Sequence, residues 1–128
     1  MKILSMPASS GVSSDQIIKN GVISPAYTVS GNITQGPDYI ELQRIGGSTV
    51  LTVIGVDMTD RSTINLEVYC STSSYNNALG CNGLSAIFHN TSYEVITLNV
   101  SGVTGVKNIT IDLGNAAVHA FVRNLIVV

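Results

Sequence analysis

Apolar and polar residues alternate along much of this chain, and where they do the period is two. In Ile64-Asn65-Leu66-Glu67-Val68, and again in Ile109-Thr110-Ile111-Asp112-Leu113, every second residue is apolar. That spacing turns one face of a strand inward and leaves Asn65, Glu67, Thr110 and Asp112 on the other. The pattern predicts eight strands, over residues 23–29, 39–43, 50–54, 63–71, 84–89, 94–100, 107–113 and 118–128. Between them lie Gly31-Asn32, Gln35-Gly36-Pro37-Asp38, Gly46-Gly47, residues 57–60, His89-Asn90-Thr91 and Gly114-Asn115, all rich in residues that tolerate turn geometry. The last segment, from Phe121 on, is almost continuously apolar and reads as a strand covered on both faces.

Two of these stretches repeat. Residues 49–68 align with residues 94–113 at an offset of 45 without a gap, with identities at Val50/Val95, Thr52/Thr97, Thr59/Thr104 and Ile64/Ile109. Both copies read as strand, turn, strand, a unit that suits an all-β sandwich. Eight strands are about what an antiparallel jelly roll needs. The predicted organisation is one β-sandwich domain over residues 22–128, entered through an irregular N-terminal arm over residues 1–21. Within the arm, Asp15 is placed to cap a single helical turn that Gly21 ends.

Composition narrows the function. At 128 residues the chain is one domain long, enough to bury roughly two thirds of the surface its unfolded form exposes. Only 11% of residues are charged, against about a quarter in an average soluble domain, so hydroxyls and amides carry the polarity. Six basic residues spread singly, with a net charge of -2, provide no footprint for a nucleic-acid backbone. No apolar run approaches the roughly 20 residues of a membrane helix. The first seven residues hold one Lys and a short apolar stretch, which falls short of a signal peptide.

Candidate chemistry is sparse. The chain has no G-x-S-x-G, no H-E-x-x-H and no Cys-His pair at a recognised spacing, which points away from catalysis. Glu41, Glu67 and Glu94 are better explained as outward strand positions than as the paired carboxylates of glycoside hydrolysis. His119 reads as a strand residue. Cys70 and Cys81 bracket a loop and are open to two readings, a disulfide or two buried thiols; metal ligation with His89 and His119 matches no zinc spacing. Asp38, Asp57 and Asp60 are weak candidates for calcium, since turns recruit Asp for its own hydrogen bonds. The sequons at Asn32, Asn90, Asn99 and Asn108 carry no weight without a secretory signal. For a neutral sugar, Tyr75 is the candidate stacking ring, with Asn76, Asn77 and Asn90 as amide partners for hydroxyls. Tyr27, Tyr39 and Tyr69 read as half-buried strand residues.

From Tyr39 onward the order of features resembles galactose-binding-like jelly-roll carbohydrate-binding modules. The residues that carry the resemblance are Asp38-Tyr39-Ile40-Glu41-Leu42, Ser62-Thr63-Ile64-Asn65-Leu66-Glu67-Val68, Val103-Thr104-Gly105-Val106-Lys107-Asn108-Ile109-Thr110-Ile111 and the closing segment from Phe121. Those modules place a V-S-G-V-H-D-like turn before a strand and close on an aromatic-rich strand such as F-N-x-D-W-F. Here the turn is similar, but Asn124 stands in place of the acid, and Leu125 and Ile126 in place of the aromatics. The composition also resembles that of phage capsid decoration and tail proteins.

These readings predict a non-enzymatic structural protein of a virion surface, made in a host cytoplasm, with no cofactor. It would assemble with other subunits, as a homo-oligomer or on a capsid or tail, through Ile3, Leu4, Met6 and Ile17 of the arm. The alternative is an extracellular module that recognises a neutral glycan through loops at one end of the sandwich.

Overall fold

The computed structural model describes residues 14–128, so Ile3, Leu4 and Met6 lie outside the described residues. Twelve strands follow one another among the described residues: β1 (Asp15–Lys19), β2 (Val22–Ile23), β3 (Thr28–Gly31), β4 (Ile33–Gln35), β5 (Ile40–Gln43), β6 (Thr49–Asp57), β7 (Thr63–Cys70), β8 (Asn77–Cys81), β9 (Leu84–Phe88), β10 (Glu94–Asn99), β11 (Val106–Asp112) and β12 (His119–Val127). They form two antiparallel sheets packed face to face, a jelly-roll sandwich. The five-stranded sheet runs β3-β6-β11-β8-β9. The seven-stranded sheet runs β10-β7-β12-β1-β2, with β5 also pairing β12 and β4 pairing β5.

Between the sheets lies one apolar core. The inward residues of β7 (Ile64, Leu66, Val68, Cys70) and β12 (Ala120, Val122, Leu125, Val127) meet Val53, Leu79, Ile109 and Ile111 of the other sheet. On β7 and β11 each is the apolar member of a period-two alternation, so burial and sequence pattern share one phase, whereas on β12 the phase shifts between Val122 and Leu125.

The repeat is real, but its copies are not two adjacent hairpins. In each copy the first strand lies in one sheet and the second in the other, so β6–β7 and β10–β11 are arches across the core. The first strand of each copy pairs with the second strand of the other. The rungs Leu51–Ile111, Thr52–Thr110 and Val53–Ile109 of β6/β11 have their 45-residue counterparts in Ile96–Leu66, Thr97–Asn65 and Leu98–Ile64 of β10/β7. Register is thus preserved under an approximate twofold that exchanges the sheets. The two crossing turns are tied together by bonds from Met58 N–H to the Gly105 carbonyl and from Val100 N–H to the Ser62 carbonyl, each 2.9 Å. Equivalent Met58 and Val103 are both buried there.

The structure departs from expectation at the N-terminal side. Residues 15–19 form a strand, not a helical turn, and β1 pairs with β12 from Asp15–Val127 to Ile18–Leu125. Ile17 is fully buried in the core and is no exposed assembly contact, because β-pairing turns its side chain between the sheets. Asp15 pairs with the nearly buried Arg61 instead of capping a helix. β8, read from sequence as loop, lies inside the five-stranded sheet between β11 and β9.

Candidate functional site

The structure gives the four residues of the loop site predicted from sequence different surroundings. Asn77 is 1% exposed; its Nδ2 donates to the Phe88 carbonyl at 3.1 Å, and its Oδ1 accepts from Gly114 N–H at 3.0 Å. It is an internal brace, since a buried amide must be satisfied where it sits. Tyr75 packs half-buried against the core, and Asn76 is exposed beside it. Asn90 spends its Nδ2 on the Val68 and Ser92 carbonyls, at 2.6 and 2.9 Å, and so ties a turn. These residues present no common surface of amides around an open ring.

The other candidates also stand apart. Asp57 accepts from Thr59 N–H at 3.0 Å inside the β6–β7 turn, a bond that holds its carboxyl below the usual range. Asp60, in the same turn, has a positive φ of 63°, while Asp38 precedes β5. Among the described residues no three His, Cys, Asp or Glu side chains gather as metal ligands. Cys70 and Cys81 are both free and buried. Of the two readings the sequence leaves open, the structure has two buried thiols, Cys70 on β7 in one sheet and Cys81 on β8 in the other. Burial pushes the Cys70 thiol up to about 11, against the opposing bond from Asn77, and raises the Cys81 thiol too. His119 Nδ1 lies 2.5 Å from Glu41 Oε2 across the β12/β5 pair.

Two outer faces remain, of opposite chemistry. On the five-stranded sheet one rung runs Ser30, Thr52, Thr110, Gly80, Ser85 across all five strands. The neighbouring rung carries Thr49, Asp112, Ala78 and Ile87. Around Gly80 lies a groove of about 460 Å³ lined by Ser85, Lys107, Asn108, Thr110 and Asp112 among others, none of them aromatic. Gly80 creates the depression: a Cβ there would stand 2.9 Å from Thr110 Oγ1. Two walls are fixed by neighbouring strands, with Thr49 donating to Asp112 Oδ1 at 2.6 Å and Gly55 N–H donating to Asn108 Oδ1 at 3.1 Å. The groove therefore sets hydroxyl, amide and charged groups beside apolar lining from Ala78, Cys81 and Leu84 on a rigid sheet.

The seven-stranded sheet carries rings. Tyr93, Tyr69, Phe121 and Tyr39 form a row, with ring centroids 4.7, 4.6 and 5.3 Å apart in that order. Tyr69 and Phe121 face each other on one rung and stack at 12°, and the outer two rings stand edge-on to them at 80°. The Arg123 guanidinium lies 3.8 Å over the Tyr93 ring. A register shift in β12 between Val122 and Asn124 delivers two successive side chains to Glu67. Arg123 Nη2 reaches one carboxylate oxygen at 2.8 Å and Asn124 Nδ2 the other at 2.7 Å. These two bonds, Arg123's first, hold the Glu67 carboxyl below its ordinary range.

Sequence reading missed both faces. Tyr69 between Val68 and Cys70, and Phe121 between Ala120 and Val122, stand in the outward phase of their strands, and that signal was available. The groove had no such signal, since it depends on β8 and on its register with β11.

No family model matches the chain, and no curated protein sequence does. Among solved structures it is similar to a family 29 carbohydrate-binding module from Piromyces equi, with a TM-score of 0.70 at 13% identity over 90% of this chain and 89% of that one. It is also similar to a family 29 module complexed with cellulohexaose (TM-score 0.68, 10% identity, 89% of each chain) and to a family 36 module in complex with calcium and xylotriose (TM-score 0.53, 17% identity, 90% of this chain and 98% of that one). A family two carbohydrate esterase from Cellvibrio japonicus matches over 89% of this chain but only 33% of its own length. The likeness is one of fold, the jelly-roll β-sandwich of carbohydrate-binding modules. None of these structures is of a virion protein.

Proposed function

We propose that this chain is a non-catalytic module that binds a neutral glycan in the groove of its five-stranded sheet. The observation that carries the reading is the groove itself: hydroxyl, amide and carboxylate groups set in rows around Gly80, in a fold shared with carbohydrate-binding modules. Sugar hydroxyls both donate and accept, and they are matched by Ser85, Thr110 and Asn108, with Lys107 and Asp112 as the stronger charged partners. A groove without a ring favours a soluble chain held by hydrogen bonds over a flat crystalline surface held by stacking. Calcium is not required in this reading, so a chelator leaves binding unchanged. The virion-surface reading rests on composition and has no comparable observation behind it.

Titration against cellohexaose, xylan, glucomannan and galactomannan tests the groove. Gly80→Val fills the depression and should abolish measurable binding. Thr110→Ala should weaken it about 3–10-fold, the worth of one hydrogen bond, while Tyr75→Ala should have little effect. Unchanged affinity in Gly80→Val and Asp112→Ala, with both variants folded, would refute the assignment.

A further inference from the structure

We infer that Asn82 is a site of spontaneous modification, where the chain's own backbone converts the side-chain amide to a carboxylate on the rim of the groove. Asn-Gly occurs twice in this sequence, as Asn20-Gly21 and Asn82-Gly83. It is the dipeptide most open to this reaction, because glycine has no side chain to shield its amide nitrogen. Both pairs make the two-residue turn of a hairpin, between β1 and β2 and between β8 and β9. The φ angles are positive throughout, 49° and 76° in the first turn and 51° and 80° in the second. Sequence and conformation are thus matched, but the surroundings differ. Gly21 is buried, its N–H donates to the Arg123 carbonyl at 2.9 Å, and Asn20 N–H donates to Asn124 Oδ1 at 3.1 Å, so β12 holds this turn twice. Asn82 and Gly83 are exposed, and nothing lies within 4 Å of where a Cβ on Gly83 would stand.

The reaction needs the turn to open until the Gly83 nitrogen reaches Asn82 Cγ. That nitrogen gives up its proton and attacks, a new C–N bond closes a five-membered succinimide, and the Cγ–Nδ2 bond breaks as ammonia leaves with the proton. Water then adds across one of the two imide C–N bonds and returns a proton to the Gly83 nitrogen. Cleavage at Cγ gives Asp; cleavage at the main-chain carbonyl gives isoaspartate, whose backbone runs through the side chain and is one methylene longer. Local opening sets the rate. At Gly21 the two bonds to β12 must break first, whereas Gly83 has open space to rotate into. Either product adds a negative charge among the residues that line the groove, Lys107 and Asp112 included. Isoaspartate also lengthens the turn that sets Ser85 opposite Gly80. An aged chain therefore binds more weakly, a consequence that, unlike the conversion itself, rests on the groove being the ligand site.

Trypsin cleaves after Lys19, Arg44, Arg61 and Lys107, and so puts the two pairs in separate peptides, residues 20–44 and 62–107. The full chain, held in mildly alkaline buffer and sampled over time, is digested and read for isoaspartate and for the mass of the acid at each site. In the folded protein Asn82 should convert about tenfold or more faster than Asn20. In urea, where only the shared dipeptide remains, the two rates should come together. Gly83→Ala shields the attacking nitrogen and should slow conversion at Asn82 in urea as well, so its effect does not depend on how the variant folds. Equal rates in the folded chain, zero included, a faster Asn20, or a difference that survives in urea would overturn the inference. Converted chain, separated by anion exchange, should bind cellohexaose about threefold or more weakly, as should Asn82→Asp. Unchanged affinity after conversion removes the effect on the groove and leaves the modification site standing. Unconverted chain that binds no glycan overturns the groove alone, because conversion is read without a ligand.

Discussion

At the scale of single residues, two polar side chains decide more than their exposure suggests. Asn77 lies where the chain leaves the β7–β8 loop for the core, and its amide links Phe88 of β9 to Gly114 beyond β11. Asn77→Ala leaves a buried donor and acceptor unmet, so urea unfolding should show a loss of about 2–4 kcal/mol. Glu67 behaves differently. Its folded-state pKa is lowered, by Arg123 first and Asn124 second, from an ordinary value of 4.5. The pair therefore stabilises the fold above that value and is lost as pH falls through the depressed one. The wild-type melting temperature should drop below about pH 4.5 by an amount that Glu67→Gln does not show, of order 1 kcal/mol in stability. From sequence, Glu67 was legible as an outward strand position and Asn77 was misread. An Asn beside Tyr75 and Asn76 in a polar stretch carries no local mark of burial, because what buries it is the pairing of β8 with strands about ten and thirty residues further on.

At the scale of elements, strong alternation was readable and weak segments were not. Residues 63–71, 94–100, 107–113 and 118–128 became β7, β10, β11 and β12 with shifts of a residue or two at their ends, because each carries its own apolar phase. The strand predicted over residues 23–29 is instead two short ones, β2 and β3. β1, β4 and β8 escaped notice: Asp15–Lys19 has only two buried positions, adjacent ones, Ile33–Gln35 has none, and Asn77–Cys81 spends its outward positions on Ala78 and Gly80. The 45-residue repeat was also visible, whereas its use as two interlocked arches depends on which strand of each copy enters which sheet. The turn from β1 to β2 shows how tightly these elements are joined. Gly21 has a positive φ of 76°, and a Cβ there would fall 2.3 Å from the Tyr39 backbone nitrogen. Gly46 shares the conformation, at a φ of 85°, but faces open space. Gly21→Ala should thus cost about 3 kcal/mol or more and Gly46→Ala about 1 kcal/mol, a contrast that thermal unfolding of the two variants measures.

At the scale of the whole molecule, the sandwich presents one hydroxyl-lined face and one ring-lined face, and it hides between them every apolar residue that the alternation assigns inward. The sequence-level search for a glycan site looked to loops at one end, whereas the candidate groove lies on a sheet face assembled from strands far apart in the chain. Fold class was legible because burial follows local periodicity; the site was not, because it follows register. The position of β12 has a further consequence. It lies between β7 on one side and β1 and β5 on the other, and it is the last strand of the sandwich to be made. As the chain leaves the ribosome, the seven-stranded sheet has no middle until residues 119–127 emerge, so β1 must wait for β12 through the synthesis of roughly one hundred residues, and β5 through roughly eighty. The seven-stranded sheet thus closes through its longest loops only once residues 119–127 are available, whereas the five-stranded sheet, which lacks β12, has all its strands by residue 112.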